Sequence, residues 1–303
     1  MTGAAEFLGF TLVPMLIGTL AAMACAVPGV FLLLRRQALL GDAISHTVLP
    51  GIVVAFLLTG RIATLPMLLG AAGAAIVAVL LIQLLVRAGR VEPGTAMGTV
   101  FSAMFSAGVL LLERTDTAGV HLDVRHALMG SLESLVWLEA EGWHSLFDPD
   151  ALSTLPPEFG RMALAALVIG ALAALFWRAL AISTFDAGFA AVLGLPVGAI
   201  GLGLTLAAAL AAVAAFDAVG SILVIAMFVC PPAAARLMTE RLGAMLGWSL
   251  VFAAASAILG FLLAGYGPLW LGFPSSVSAA GMIATVSGLI LGLAALLGPA
   301  RGA

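Results

Sequence analysis

The segment Gly41-Asp42-Ala43-Ile44-Ser45-His46-Thr47-Val48-Leu49-Pro50-Gly51 places a carboxylate and an imidazole four positions apart in an otherwise apolar stretch. On a helix this spacing stacks Asp42 and His46 on one face. Carboxylate oxygen and imidazole nitrogen form a borderline-hard ligand pair suited to Mn²⁺, Fe²⁺ or Zn²⁺. Ser45, between them in sequence, adds a hydroxyl that can line the same path. Ionisable groups within a membrane span are costly unless they face a cavity or a partner, so two stacked together imply a polar route. The plainer reading has Asp42 capping a helix end and His46 hydrogen-bonding a neighbouring helix.

Other candidates are more scattered. Asp217 can form a further polar wall of such a path, or sit in water between two spans. Cys230 precedes Pro231 and Pro232, a pair expected to break the hydrogen-bond ladder and bend its helix, so the thiol can line a pathway or pack as a small hydrophobe. His121, Asp123 and His126 are closely spaced without a regular metal signature. They suit an outer entry or docking surface, where negative charge concentrates cations.

These residues need membrane-spanning elements to hold them. The 303 residues are 63% apolar and 9% charged, with a mean hydropathy of +1.22, which excludes a water-soluble globule. All 12 basic residues are arginine, so the chain supplies neither a P-loop lysine nor a Schiff-base lysine. ATP energy must therefore come from a partner. The net charge of −3 gives no basic excess for nucleic acid, and Cys25 and Cys230 lie in apolar runs, with no disulfide framework. Glu6, with no basic residue before the first apolar stretch, favours an uncleaved first span.

Intervals between charges mark an all-α, polytopic transmembrane protein of about nine spans, with eight to ten as the range. Four are bracketed by Glu6 to Arg35, Asp42 to Arg61, Arg61 to Arg87, and Glu92 to Glu113. The fifth is about 160–180, and the sixth and seventh lie between Asp186 and Asp217 and between Asp217 and Arg236. Gly265, Gly267, Pro268 and Pro274 divide the uncharged run from Arg241 to Arg301 into the last two. An outside N-terminus puts Arg35, Arg36, Arg87, Arg90, Arg178, Arg236, Arg241 and Arg301 in the cytoplasm, leaving Arg61, Arg114, Arg125 and Arg161 outside. The C-terminus is then cytoplasmic, and the polar segment at about 113–158 lies outside.

Three stretches in order resemble the permease subunits of the ABC-3 family of metal-ion importers. They are Leu34-Arg35-Arg36 with the Gly41–Gly51 signature; Phe185-Asp186 through Ala190 to Gly194-Leu195-Pro196; and Val219-Gly220-Ser221-Ile222-Leu223-Val224 continuing through Pro231-Pro232-Ala233-Ala234-Ala235-Arg236-Leu237. The resemblance covers about 9–298, with about 137–157 similar to a family-variable insertion. It implies a single permease domain over 1–303, in a bacterial-type inner membrane, moving Mn²⁺, Zn²⁺ or Fe²⁺ as cargo without a permanent cofactor or chemistry of its own. The implied partners are two cytoplasmic ATPase subunits, an extracytoplasmic metal-binding protein, a second permease copy or paralogue, and membrane lipid. By the same resemblance Asp42 and His46 line the pathway, and the segment about 183–196 couples to the ATPases through Phe185, Asp186, Ala190, Gly194, Leu195 and Pro196. Two departures bear on the ion. Asp217 replaces a neutral polar residue and Cys230-Pro231-Pro232 a single-proline segment; a thiolate favours Zn²⁺, oxygen ligands Mn²⁺. A metal-chelate permease and an ion-gradient-driven secondary transporter are the alternatives.

Overall fold

The computed structural model describes residues 3–38, 40–60, 64–114, 130, 132–270, 272 and 276–299, and no strand occurs among them. The helices are α1 (Gly3–Phe7), α2 (Val13–Leu34), α3 (Leu40–Thr59), α4 (Thr64–Arg87), α5 (Pro93–Arg114), α6 (Pro149–Ser153), α7 (Pro157–Leu175), α8 (Trp177–Phe185), α9 (Ala187–Val192), α10 (Val197–Met238), α11 (Leu242–Trp270) and α12 (Ala279–Leu297). A π-helical turn, Leu8–Leu12, joins α1 to α2. Eight helical stretches among the described residues are long and apolar enough to cross a membrane. They match eight of the nine expected intervals; the remaining one, Asp42 to Arg61, falls on α3, whose apolar part counted among the described residues is Pro50–Thr59.

The π turn has a use. Val13 N–H donates to Leu8 O, one residue beyond the α-helical register, and the residue that would then serve Gly9 O is Pro14, which has no N–H. The orphaned Gly9 carbonyl accepts from Trp137 N–H at 3.0 Å instead. Gly9 also leaves room for this contact, since a Cβ there would lie 2.4 Å from Trp137 O. Trp137 is fully buried, and its indole N–H donates to Thr154 Oγ1 at 2.9 Å and Ala151 O at 3.1 Å. Glu133 accepts from Ala279 N–H at the start of α12, where a carboxylate complements the helix dipole. The polar segment around Trp137 is thus tied to two different spans.

The 42-residue α10 is not one rod. Gly220, at φ 74° and ψ 168°, interrupts it. Ile200 shares a cavity wall with Phe31 of α2, while a Cβ on Gly29 of the same helix would lie 2.6 Å from Phe228 O. A straight helix would separate Ile200 and Phe228 by about 42 Å, so the chain must fold back between them. Val197–Phe216 and Ala218–Met238 are therefore two antiparallel spans joined at Gly220. Gly130 packs on this reversal: a Cβ there would meet Val219 C at 2.3 Å.

The inner prolines lie within helices and not between them. Pro231 and Pro232 lie inside the second half of α10, and the non-helical dihedrals are at Gly220. Pro232 cannot donate to Phe228 O and its ring presses on that carbonyl; the displaced oxygen meets α2 at Gly29, where no Cβ stands in the way. Likewise Gly265, Gly267 and Pro268 remain within α11, and the break follows Trp270. The carbonyl that Pro268 leaves unserved, Ala264 O, accepts from Val277 N–H at 3.2 Å.

Helix contacts elsewhere also depend on small residues, as expected in lipid. Gly51 of α3 and Gly70 of α4 are reciprocal: each Cβ would lie within 2.3 Å of the other's carbonyl oxygen. Gly220→Ala would cost about 1–3 kcal/mol through its backbone conformation. Gly288→Ala, on open helix surface, should be neutral or stabilising by up to about 1 kcal/mol. Thermal unfolding of the purified variants checks the contrast.

Candidate functional site

α3 places the Asp42/His46 turn beside the second half of α10. Gly41 lies against the Phe228 ring, with a Cβ there only 2.6 Å from Cδ2, and the same phenylalanine's carbonyl meets Gly29. Phe228 is fully buried, so it locks α2, α3 and α10 together one residue before Asp42. Thr47, one residue after His46, is buried. The backbone of Asp42, Ser45 and His46 is helical, as is that of Asp217 three residues before Gly220; the side chains of all four lie outside the described residues. Cys230 is a free, half-buried thiol two residues beyond Phe228. His121, Asp123 and His126 lie outside the described residues altogether. Among the described residues, no three His, Cys, Asp or Glu side chains cluster as a metal site.

The segment about 183–196, expected to couple to ATPase subunits, is fully described. α8 ends at Phe185, and Asp186 starts α9 by accepting the Phe189 N–H on Oδ1 at 2.8 Å, a side-chain N-cap. Gly194, at φ +78°, closes the helix: Leu195 N–H donates to Ala190 O at 3.0 Å and Gly194 N–H to Ala191 O at 3.0 Å. A left-handed glycine followed by Pro196 terminates a helix in this way. Ala190 is fully buried and anchors the turn, while Phe185, Phe189, Leu193 and Val192, the last 85% exposed, face outward. Four large apolar side chains are thus exposed together on and beside α9.

Arg35 braces this segment. Its Nη2 donates to Ser183 Oγ at 2.8 Å and its Nε to Thr184 Oγ1 at 3.1 Å, joining the end of α2 to the last turn of α8. Burial lowers the Arg35 pKa below its ordinary value. The sequence shows an arginine here as part of a motif, but no local signal assigns its partners almost 150 residues away. The ends of α2, α4, α10 and α12 lie at this same end of the bundle, and so do Arg36, Arg87, Arg90, Arg178, Arg236 and Arg241. Gly9, Trp137 and the Gly220 reversal lie towards the opposite end.

The model of the ABC 3 transport family matches residues 8–297. The manganese transport system membrane protein MntD of Bacillus subtilis is 38% identical over 285 residues, covering 94% of this chain and 91% of that protein. The zinc transport system membrane protein TroD of Treponema pallidum is 37% identical, covering 96% and 75%. Among solved structures, PsaBC from Streptococcus pneumoniae in complex with Fab matches with a TM-score of 0.72 and 26% identity, over 96% of this chain and 93% of that one.

Removing the α9 cap should loosen that helix without disturbing the spans. Asp186→Ala is expected to cost about 1 kcal/mol locally, which speeds amide exchange at Phe189 about fivefold, whereas Asp186→Asn keeps the protection. Hydrogen-exchange mass spectrometry over 185–195 checks this.

Proposed function

The chain belongs to the ABC 3 transport family, and from that premise we propose that it is the permease that carries a divalent transition-metal ion, Mn²⁺ or Zn²⁺, into the cytoplasm, powered by separate ATPase subunits. The observation that carries the coupling part of this reading is the capped α9 with Phe185, Phe189, Val192 and Leu193 exposed on the arginine-rich end of the bundle. Positive residues collect on cytoplasmic faces, so this end is the cytoplasmic one and the N-terminus lies outside. The apolar knob fits a groove on an ATPase subunit, and Arg35 passes its displacement to the end of α2.

The ion path runs past Asp42 and His46. α3 leads directly into the Phe228 contact, so movement of α10 relative to α2 reaches the Asp42 turn through packed side chains and not through a flexible loop. A second permease copy brings its own Asp42 and His46 to a shared axis, giving four ligands in one state and two separated pairs in the other. Such a site must hold the ion weakly, because tight binding stalls transport. Oxygen and nitrogen donors suit either ion; Cys230, if it joined them, would favour Zn²⁺. An outer metal-binding protein would deliver the ion, with His121, Asp123 and His126 at the docking or entry surface.

In vesicles containing the assembled complex, ATP-dependent uptake of radiolabelled manganese and zinc is expected to select one ion. Asp42→Ala/His46→Ala should reduce that uptake to the level seen without ATP while the subunits still co-purify. Uptake unchanged in the double variant would remove both residues from the path. Uptake by the permease alone, driven by an ion gradient, would overturn the ABC mechanism, and uptake only of a chelated metal would change the cargo.

A further inference from the structure

A second polar site lies at the arginine-rich end, bordered by Leu40 at the start of α3 and by the Arg35 that braces the end of α8. A cavity of about 190 Å³ opens between α2, α4, α5 and α10, and its polar wall is Arg35, Gln37, Gln83, Arg87 and Thr205. Gly198 and Gly201, three residues apart at the start of α10, make room for the two guanidiniums. A Cβ on Gly198 would lie 3.1 Å from Arg87 Nη2, and one on Gly201 would lie 3.5 Å from Arg35 Nη1. Their spacing along the helix is about 4.5 Å, so two positive groups lie side by side on one helix face.

Nothing of opposite sign answers them among the described residues. No carboxylate among the described residues lines the cavity, and neither Arg87 nor Arg35 forms an ion pair among them. Arg35 spends Nε and Nη2 on Thr184 and Ser183, leaving Nη1 as a free donor over Gly201. Paired guanidiniums with open N–H groups match the planar, multi-oxygen geometry of a phosphate. The amides of Gln37 and Gln83 beside them supply neutral donors, while the Thr205 hydroxyl donates to Gly201 O at 2.9 Å.

The rest of the cavity is graded. Val79, Ile82, Gln83, Val86 and Arg87 share one face of α4, so its wall turns from charged to apolar over about 12 Å towards the bundle interior. Met97 and Leu202 continue the apolar part. A ligand that fills both ends has a phosphate at one and hydrocarbon at the other.

We propose that this cavity binds a phosphate-ester anion, the headgroup of an anionic phospholipid of the cytoplasmic leaflet, with soluble phosphate as the other source of the same chemistry. Basic pockets between spans on the cytoplasmic side hold such headgroups. The graded wall favours the lipid.

Native mass spectrometry of the full chain in detergent tests this with added palmitoyl-oleoyl phosphatidylglycerol, the matching phosphatidylethanolamine, or inorganic phosphate. Phosphatidylglycerol should be retained in preference to phosphatidylethanolamine, and Arg87→Gln, at an exposed position with no hydrogen bond to lose among the described residues, should cut retention about fivefold. Met97→Phe, which shortens the apolar end, separates the sources: loss of phosphatidylglycerol with phosphate-induced thermal stabilisation intact assigns the lipid, whereas stabilisation by phosphate and no lipid preference assigns the free anion. Equal retention of both lipids together with no response to phosphate overturns the site. So does Arg87→Gln that binds as the parent does. Protection of Arg87 from phenylglyoxal by docked ATPase subunits alone, with no effect of either phosphate source, would assign the arginines to a protein partner and also overturn it.

Discussion

Helices in lipid gain nothing from hiding apolar surface from one another, so their association rests on how closely the backbones approach and how well the gaps fill. In this protein that requirement converges on Phe228. Its ring fills the space left by the missing side chain of Gly41, and its carbonyl the space left at Gly29. One residue thereby fixes the separation of α2, α3 and α10, and with it the position of the turn that carries Asp42. A bulkier residue at either glycine would move the turn before it altered any ligand.

A second regularity concerns prolines. Each proline within a helix leaves one carbonyl without its usual donor, and three such carbonyls in this chain become tertiary contacts. Near Pro14, Gly9 O receives the Trp137 N–H; at Pro232, Phe228 O meets Gly29; at Pro268, Ala264 O receives the Val277 N–H. Irregular backbone at membrane depth is tolerated on condition that it is buried in protein.

This explains what could be read from the sequence. The spans were legible because the hydrocarbon layer forces apolar intervals between charges, and α9 because Asp186, Gly194 and Pro196 are local start and stop signals. The Asp42/His46 spacing was visible as a helical pair. The turn between the sixth and seventh spans was expected at Asp217 and lies at Gly220, three residues on, whereas the contact of Phe228 O with Gly29, far away in sequence, had no local signal. The polar segment around Trp137 has no periodicity, so its role in tying α2 and α12 together depends on contacts that only the folded chain creates. The partners of Arg35 were hidden for the same reason.

The reversal at Gly220 bears on how the protein enters its membrane. Two spans that meet with no more than a single turn between them have almost no polar chain to carry across the hydrocarbon layer. Asp217 is the only charged residue between Pro196 and Arg236, so the pair can partition from the insertion machinery as one preassembled hairpin, with a single carboxylate at its turn. Membrane insertion of this region is then one event where the span count suggests two.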